Sequence, residues 1–239
     1  MSRYKAFVIH LLGSVVVLAS VLTFCQQVWY PMGLFSTTSG VELLILMACV
    51  DVVVGPTMTL IVFDAKKKYI KLDMAIILML QTAFLGYGLF ATGSTRPVYV
   101  AFVENRLYLV KADEVETQDL AVARNPEFNR LPLLQPRWVG TKEPEDIKIR
   151  NDIVIASIGG MGIQNLPQYF VPWSDVAGAI RVSAKTLAQL KLDGETKLRI
   201  QDWEENHRGL HCVYVPLITK KKILVVAFDA ATMRIIAII

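Results

Sequence analysis

Two histidines and a cysteine lie close together late in the chain, in the stretch His207-Arg-Gly-Leu-His211-Cys212. Imidazole and thiolate side chains are the usual ligands of zinc. However, Gly209 interrupts any helix that would place both imidazoles on one face, and no fourth ligand has a suitable spacing. The pattern therefore indicates surface or strand-start histidines, and we predict neither a metal site nor a cofactor.

The motifs that could support catalysis are weak. The glycine-rich turn at 159–162 is not followed by a helix whose N-terminus would hold a phosphate. Glu204 and Glu205 are adjacent, so on a helix or a strand their side chains point apart and cannot act together as general acid and base. The sequence contains no G-x-S-x-G motif. We therefore predict that the protein is not an enzyme.

A sharper polar feature is Asp51, the only charged residue between positions 43 and 63. A carboxylate in the middle of a membrane span costs about 2.5–3.5 kcal/mol on insertion scales, so it normally faces other helices or water. One interpretation is that Asp51 pairs with Gln81 or His10 purely for packing. A second is that this polar face receives a helix of another protein, and a third, weaker one is an ion or proton relay. Composition ranks packing first and helix recruitment second.

Pro56 lies five residues after Asp51. Its ring nitrogen cannot donate to the carbonyl of Val52, one turn back, and Gly55 removes side-chain bulk at the same level. We therefore predict a kink whose under-bonded carbonyl accepts a hydrogen bond from a nearby threonine hydroxyl, Thr57 or Thr59. In the next apolar stretch, Gly86 and Gly88 are predicted to let helices approach closely.

The elements that must position these groups are three apolar stretches. The chain is 54% hydrophobic with a mean hydropathy of +0.44, which is high for a soluble globular protein. Each stretch supplies the roughly 20 apolar residues that cross a bilayer. We predict three transmembrane helices near 6–29, 43–63 and 74–92, within a transmembrane domain at 1–96. The first is longer than the apolar region of a signal peptide and lacks an A-x-A site, so we expect it to be uncleaved.

Basic residues predict the orientation of these helices. Positively charged short loops stay in the cytoplasm, and the loop between the first two stretches has no charge. This pattern predicts a multi-pass protein with a cytoplasmic N-terminus and an exported C-terminal part. In a Gram-negative bacterium this means an inner-membrane protein with a periplasmic domain. The basic cluster after the second stretch can also bind anionic lipid. The predicted topology anchors are Arg3, Lys5, Lys66, Lys67, Lys68 and Lys71.

The net charge of +4 belongs mainly to the membrane part. Residues 1–96 hold seven Lys and Arg against four Asp and Glu, whereas residues 97–239 hold eighteen against seventeen. A nearly neutral exported part lacks the basic face that a nucleic-acid binder needs. We therefore predict the lipid bilayer, and no nucleic acid, as a partner. Cys25 and Cys49 lie in the spans, which leaves Cys212 alone and argues against structural disulfides.

Residues 97–239 are long enough for a domain of their own, and we predict an α+β fold with an antiparallel sheet. Alternating apolar and polar residues on both sides of Glu104-Asn105 predict a hairpin. The remaining predicted elements are, in chain order, a surface excursion at 124–146, a strand within "NDIVIASIGGMG" at 151–162, a helix at 174–191, and three final strands with turns at Lys220-Lys221 and Asp229-Ala230.

Several motifs together resemble those of the type IV pilin accessory proteins, the TfpX/TfpZ family. They are "MSRYKAFVIHLL" at the start, "WYP" at 29–31, "VDVVVGPTMTLIVFDAKKK" at 50–68, "LD" at 72–73 and "RPVYVAF" at 96–102. The similarity is dense over residues 1–102, and no quotable motif follows beyond about residue 105.

The resemblance implies a non-enzymatic inner-membrane protein that promotes assembly of type IV pili as a pilin-specific chaperone or as a modulator of assembly. The implied partner is the type IV major pilin, which has an apolar membrane helix and a periplasmic head. We expect the bundle to cradle that helix and the domain from residue 97 to touch the head. The motif positions that are candidates for fold or partner contact are Asp51, Gly55, Pro56, Thr59, Asp64, Lys66, Lys67 and Arg96, and the residues of the span add Gln81.

The alternative is a membrane-tethered periplasmic ligand-binding or sensor protein. Such a protein needs a cytoplasmic output module. The predicted cytoplasmic segments are the N-terminal residues 1–5 and the loop 64–73, and both are too short for one.

Overall fold

The computed structural model describes residues 2–37 and 40–239. The three apolar stretches form helices, and the first two each contain a π-helical turn with hydrogen bonds that span five residues. In chain order these elements are α1 (Arg3–Phe24) with the π turn Cys25–Trp29, α2 (Gly40–Ala48) with the π turn Cys49–Val54 continued by α3 (Gly55–Val62), and α4 (Ile70–Ser94).

The prediction of three long apolar helices is confirmed. The helical segments that are long and apolar enough to cross a membrane are Arg3–Trp29, Leu44–Val62 and Ile70–Ser94. The first and third segments both pack against the second. Large apolar side chains point outward from all three, for example Leu12, Leu46 and Phe90. This apolar exterior suits a hydrocarbon environment.

A seven-stranded sheet follows α4 almost immediately, in the strand order β4-β3-β1-β2-β5-β6-β7. The sheet is mixed, so the prediction of a purely antiparallel sheet is wrong: β1 pairs in parallel with β3, and β2 in parallel with β5. Parallel neighbours need a long crossover, and the chain supplies one before β3 and another before β5. The strands are β1 (Pro97–Val103), β2 (Arg106–Lys111), β3 (Arg137–Thr141), β4 (Phe170–Pro172), β5 (Cys212–Ile218), β6 (Ile223–Asp229) and β7 (Ile235–Ile238).

The predicted hairpins are confirmed. Val103 pairs with Arg106 across a two-residue turn, in which Glu104 has a φ of 54°. The three predicted final strands are present, and they pair antiparallel in sequence order. The turn after Asp229 is held by its carboxylate, which accepts the N–H groups of Ala231 and Thr232.

Two helices of the domain differ from the predictions. The stretch at 151–162 was predicted as a strand, but it lies largely in α6 (Ile147–Ile158), whose N-terminus is capped by the Asp146 carboxylate. The predicted helix at 174–191 is limited to α7 (Ala177–Ser183), because Lys185 then forms a β-bridge with Tyr214.

Other elements were missed. Helix α8 (Gly194–Asn206) had no counterpart in the predictions; Asp193 caps it by accepting the N–H of Thr196. A short helix, α5 (Thr117–Ala121), follows β2. The predicted surface excursion at 124–146 contains β3, in which Val139 is fully buried between two other strands.

The sheet and the ends of the apolar helices share one hydrophobic core. Cys25 near the end of the first segment, and Tyr30 and Leu34 just after it, pack in the same cluster as Val100 and Phe102 of β1. The alternate residues of β1 belong to a second cluster on the other face of the sheet, with Phe128 and Phe170. The domain therefore rests directly on the helices, and β1 begins only three residues after α4 ends.

Candidate functional site

The π turn before Pro56 decides which carbonyl lacks its usual partner. In this turn the N–H of Gly55 donates to the carbonyl of Val50, five residues back. In the same register residue 56 would donate to Asp51, but proline has no N–H. The side-chain amide nitrogen of Gln81 donates to that Asp51 carbonyl instead, at 3.1 Å. The prediction that the carbonyl of Val52 lacks a donor and bonds a threonine hydroxyl is therefore wrong. The carbonyl that lacks a backbone donor is that of Asp51, and the donor is Gln81.

Gly55 makes room for this hydrogen bond. A Cβ at this position would overlap the side-chain amide of Gln81. Gly88 has a similar role, because a Cβ there would overlap the side chain of Met47 from the neighbouring segment. Gly86 has no atom within 4 Å of an added Cβ, so only Gly88 confirms the predicted close approach.

Thr59 connects the first and second segments. Its hydroxyl oxygen lies 2.6 Å from Nδ1 of His10, and only 2% of the Thr59 surface is exposed. Sequence reasoning placed Thr59 near the kink and His10 near Asp51, but it did not pair the two with each other.

A groove of about 590 Å³ lies between α1 and α4, with the second segment as its floor. Most of its lining is apolar, and two of its polar side chains, His10 and Gln81, contact the second segment through hydrogen bonds. The groove is lined by Ala6, Ile9, His10, Gly13, Ser14 and Val17 from α1, by Asp51, Thr59 and Phe63 from the second segment, and by Met74, Leu78, Gln81, Thr82 and Leu85 from α4.

The Asp51 side chain faces this groove and is 6% exposed. Its Oδ1 has no hydrogen-bond partner among the residues that the structure describes. Gln81 contacts the backbone of Asp51 rather than its carboxylate. His10 is close enough to interact electrostatically with Asp51, yet the described residues include no direct ion pair between them. The structure thus brings Asp51, Thr59 and Gln81 together in the lining of one groove. Gly55 packs behind it against the Gln81 amide, and neither Gly55 nor Pro56 lines the groove.

Arg96 lies elsewhere, about 20 Å along the helix direction from Gln81. Its guanidinium donates to the carbonyls of Gly93 and Pro132, at 2.6 and 2.9 Å. Beside it, the indole N–H of Trp29 donates to the carbonyl of Leu133 at 3.1 Å. Arg96 therefore joins the end of α4 to the loop before β3, and burial lowers the pKa of its guanidinium.

The predicted topology anchors lie together. Arg3 and Lys5 begin α1, and the four lysines occupy the connection between α3 and α4 or the first turn of α4. Lys67 forms an ion pair with Asp73 at 2.5 Å, and the Lys68 ammonium lies over the ring of Tyr69. The structure thus places these cations at one end of the helices and the sheet at the other.

The histidine-cysteine stretch shows no metal geometry. The ring of His207 stacks on Trp203, and its Nδ1 lies 2.8 Å from the Trp203 carbonyl oxygen. Cys212 is the first residue of β5. Among the described residues, no three His, Cys, Asp or Glu side chains form a group that could hold a metal ion.

A second cavity, of about 410 Å³, lies in the domain between the β1–β2 hairpin and α6. The ion pair between Glu143 and Arg150, at 3.0 Å, contributes to its wall. It would be the place for a small ligand in the sensor alternative. The Glu143 and Arg150 side chains of this ion pair are both exposed to solvent.

Fold and site together define a class of protein: three apolar helices with an acid-containing groove, and a mixed-sheet domain built directly on their far end.

Known relatives agree with the resemblance drawn from the motifs. The chain is 26% identical over 219 residues to the "Fimbrial assembly protein, serogroup I" of Dichelobacter nodosus, which covers 89% of this chain and 85% of that relative. It is 27% identical over 183 residues to the "Fimbrial assembly protein, serogroup E1" of the same organism, covering 76% and 71%. Homologues over most of the chain are thus named fimbrial assembly proteins, consistent with a type IV pilus accessory protein. No protein-family model and no solved structure matches the chain.

Proposed function

We propose that the protein is a non-enzymatic accessory protein of type IV pilus biogenesis, which binds the major pilin in the inner membrane as a chaperone or modulator of its assembly. The names of the relatives support a role in fimbrial biogenesis. The observation that carries the rest is the groove between α1 and α4.

The dimensions of the groove suit a helix. Its lining extends along α1 from Ala6 to Val17 and along α4 from Met74 to Leu85. At 1.5 Å per residue these walls are about 16 Å long, or three turns. A helix laid in such a groove buries the apolar side chains of one face, at the i, i+3, i+4 and i+7 positions.

In this proposal the three helices cross the inner membrane with the lysine-rich end in the cytoplasm and the domain in the periplasm. The common core of the helices and the sheet then holds the domain just above the bilayer. A pilin whose membrane helix occupies the groove would present its soluble head to this domain.

Site-specific photo-crosslinking in living cells tests the proposal. Leu78 lines the groove, whereas Leu80 points to another face of α4; the two side chains are similarly exposed, at 54% and 51%. We expect a photo-reactive residue at position 78 to capture the major pilin and the same residue at position 80 to capture far less. Capture from both positions alike, or capture of no pilin from position 78, would refute the proposed role of the groove.

A further inference from the structure

Three buried polar atoms at the floor of the groove, one from each helical segment, have no hydrogen-bond partner among the described residues. They are Oδ1 of Asp51, Nε2 of His10 and Oε1 of Gln81. All three side chains line the same groove. Polar atoms in an apolar environment are costly unless they are paired, so these atoms indicate what an occupant must supply.

The chemistry of these atoms is fixed at Gln81 and depends on protonation at Asp51. The Gln81 amide nitrogen donates to a backbone carbonyl, which can only accept, so Oε1 remains as an acceptor. The Asp51 carboxyl only accepts when it is ionised, and a cation beside it favours that ionised form. His10 is adaptable, because the Thr59 hydroxyl that bonds its other ring nitrogen can either donate or accept. With Asp51 ionised, the floor therefore offers two acceptors, the Asp51 carboxylate and Oε1 of Gln81. Beside them, the His10 ring can either donate or accept.

We propose that this floor recognises a cationic hydrogen-bond donor, such as an amino group, carried at mid-depth by a membrane-spanning helix that lies in the groove. The helical nature of the occupant rests on the proposed function above. The recognition of a cationic donor rests on the three unpartnered atoms.

The walls and the floor of the groove recognise different parts of the occupant. The walls, with residues such as Ile9, Val17 and Leu85, match the apolar side chains of a helix. An acyl chain of a lipid would also fit these walls, but it has no donor for the floor. An amino group in hydrocarbon and an unpaired carboxylate are each costly alone, and pairing them removes much of both costs.

The experiment uses the full chain in lipid vesicles and designed transmembrane peptides of about 22 residues. One peptide carries lysine at its centre and a matched peptide carries norleucine, which has a similar shape without the amino group. Energy transfer between labelled protein and labelled peptide reports the affinity. We expect the lysine peptide to bind about tenfold more tightly than the norleucine peptide, which corresponds to about 1.4 kcal/mol.

Variants then assign the preference to Asp51. Asp51→Asn should remove most of the preference, and Asp51→Glu should retain it. Asp64→Asn, which removes an acid outside the groove, should leave it unchanged. Equal binding of the two peptides by the unmodified protein, or an undiminished preference in Asp51→Asn, would overturn the inference.

The two proposals can fail separately. If position 78 captures pilin in cells but the peptides bind equally, the recognition of a cationic donor is wrong and the accessory role stands. If the lysine peptide is preferred through Asp51 but no pilin is captured, the floor chemistry stands and the accessory role through this groove is wrong.

Discussion

The side-chain amide of Gln81 replaces the backbone N–H that Pro56 lacks, by donating to the carbonyl of Asp51 at 3.1 Å. A donor on one helix thus compensates for a proline on another, which is how apolar helices accommodate proline without leaving an unpaired carbonyl. Gly55 belongs to the same arrangement, because only a residue without a Cβ leaves space for the amide. The shape of the groove floor thus depends on Gln81, Pro56 and Gly55.

Gln81→Ala should lower the free energy of unfolding by about 1–2 kcal/mol, because a buried carbonyl loses its donor. In a Pro56→Ala background the new N–H can reach Asp51 in the π register, so the same change should cost clearly less. Unfolding of the detergent-solubilised protein by added denaturing detergent gives both values. Equal costs in the two backgrounds would show that Gln81 does not substitute for the missing N–H.

Gly55→Ala should destabilise the protein by a similar amount, about 1–2 kcal/mol, because the added methyl group displaces the Gln81 amide from Asp51. In a Gln81→Ala background most of this effect should disappear. Gly86→Ala is the matched control on the neighbouring helix, since its Cβ would have no atom within 4 Å. An effect of Gly55→Ala that is fully additive with Gln81→Ala would contradict this explanation.

Trp29→Phe should loosen the loop before β3. The substitution keeps an aromatic ring but removes the indole N–H that donates to the Leu133 carbonyl. We expect a loss of about 1 kcal/mol, or roughly 2–4 °C in Tm, and faster proteolysis near Leu133. Trp173→Phe is a control within the domain, for which no faster cleavage at this loop is expected.

The stability of the domain should depend on Asp193 in acid. The N–H and then the hydroxyl of Thr196 hold the pKa of this carboxyl below its ordinary value. Because the folded state has the lower pKa, the stabilisation is present above about pH 4 and is lost as the pH falls further. Asp193→Asn should keep the helix cap but show a smaller drop in Tm between pH 7 and pH 3 than the unmodified protein. An equal drop would exclude this carboxylate as a source of the acid sensitivity.

The proposed orientation predicts that a reporter enzyme active only in the periplasm works when it is fused after Ile239. A fusion within the lysine-rich connection, after Lys68, should be inactive with the same reporter and active with a cytosolic one. The reverse pattern would place the sheet in the cytoplasm and would exclude contact between the domain and the periplasmic heads of pilins.

The parts predicted best from sequence are those governed by local patterns. Long apolar stretches predicted the three helices, and alternation around Glu104-Asn105 predicted the first hairpin. The pairing of β2 with β5 joins residues about a hundred positions apart, and no local pattern encodes it. The stretch at 151–162 was predicted as a strand, but the Asp146 cap begins helix α6 just before it.

Sequence reasoning named several residues that line the groove, but it did not predict their geometry. The polar and glycine positions in the apolar helices were identified because such residues are expensive there. The π turn was not foreseen, and it moves the under-bonded carbonyl from Val52 to Asp51. Arg96 was grouped with the site because of its motif, whereas its guanidinium binds carbonyls at the other end of α4.

The core shared by Tyr30, Leu34, Val100 and Phe102 has a consequence for engineering this protein. Position 96 looks like a junction between modules, but separating the chain there would expose apolar surface that the helices and the sheet bury against each other. Chimaeras between relatives should therefore take the helices and the sheet from the same parent. A chimaera joined at position 96 should be recovered in lower yield than one in which both parts come from one parent.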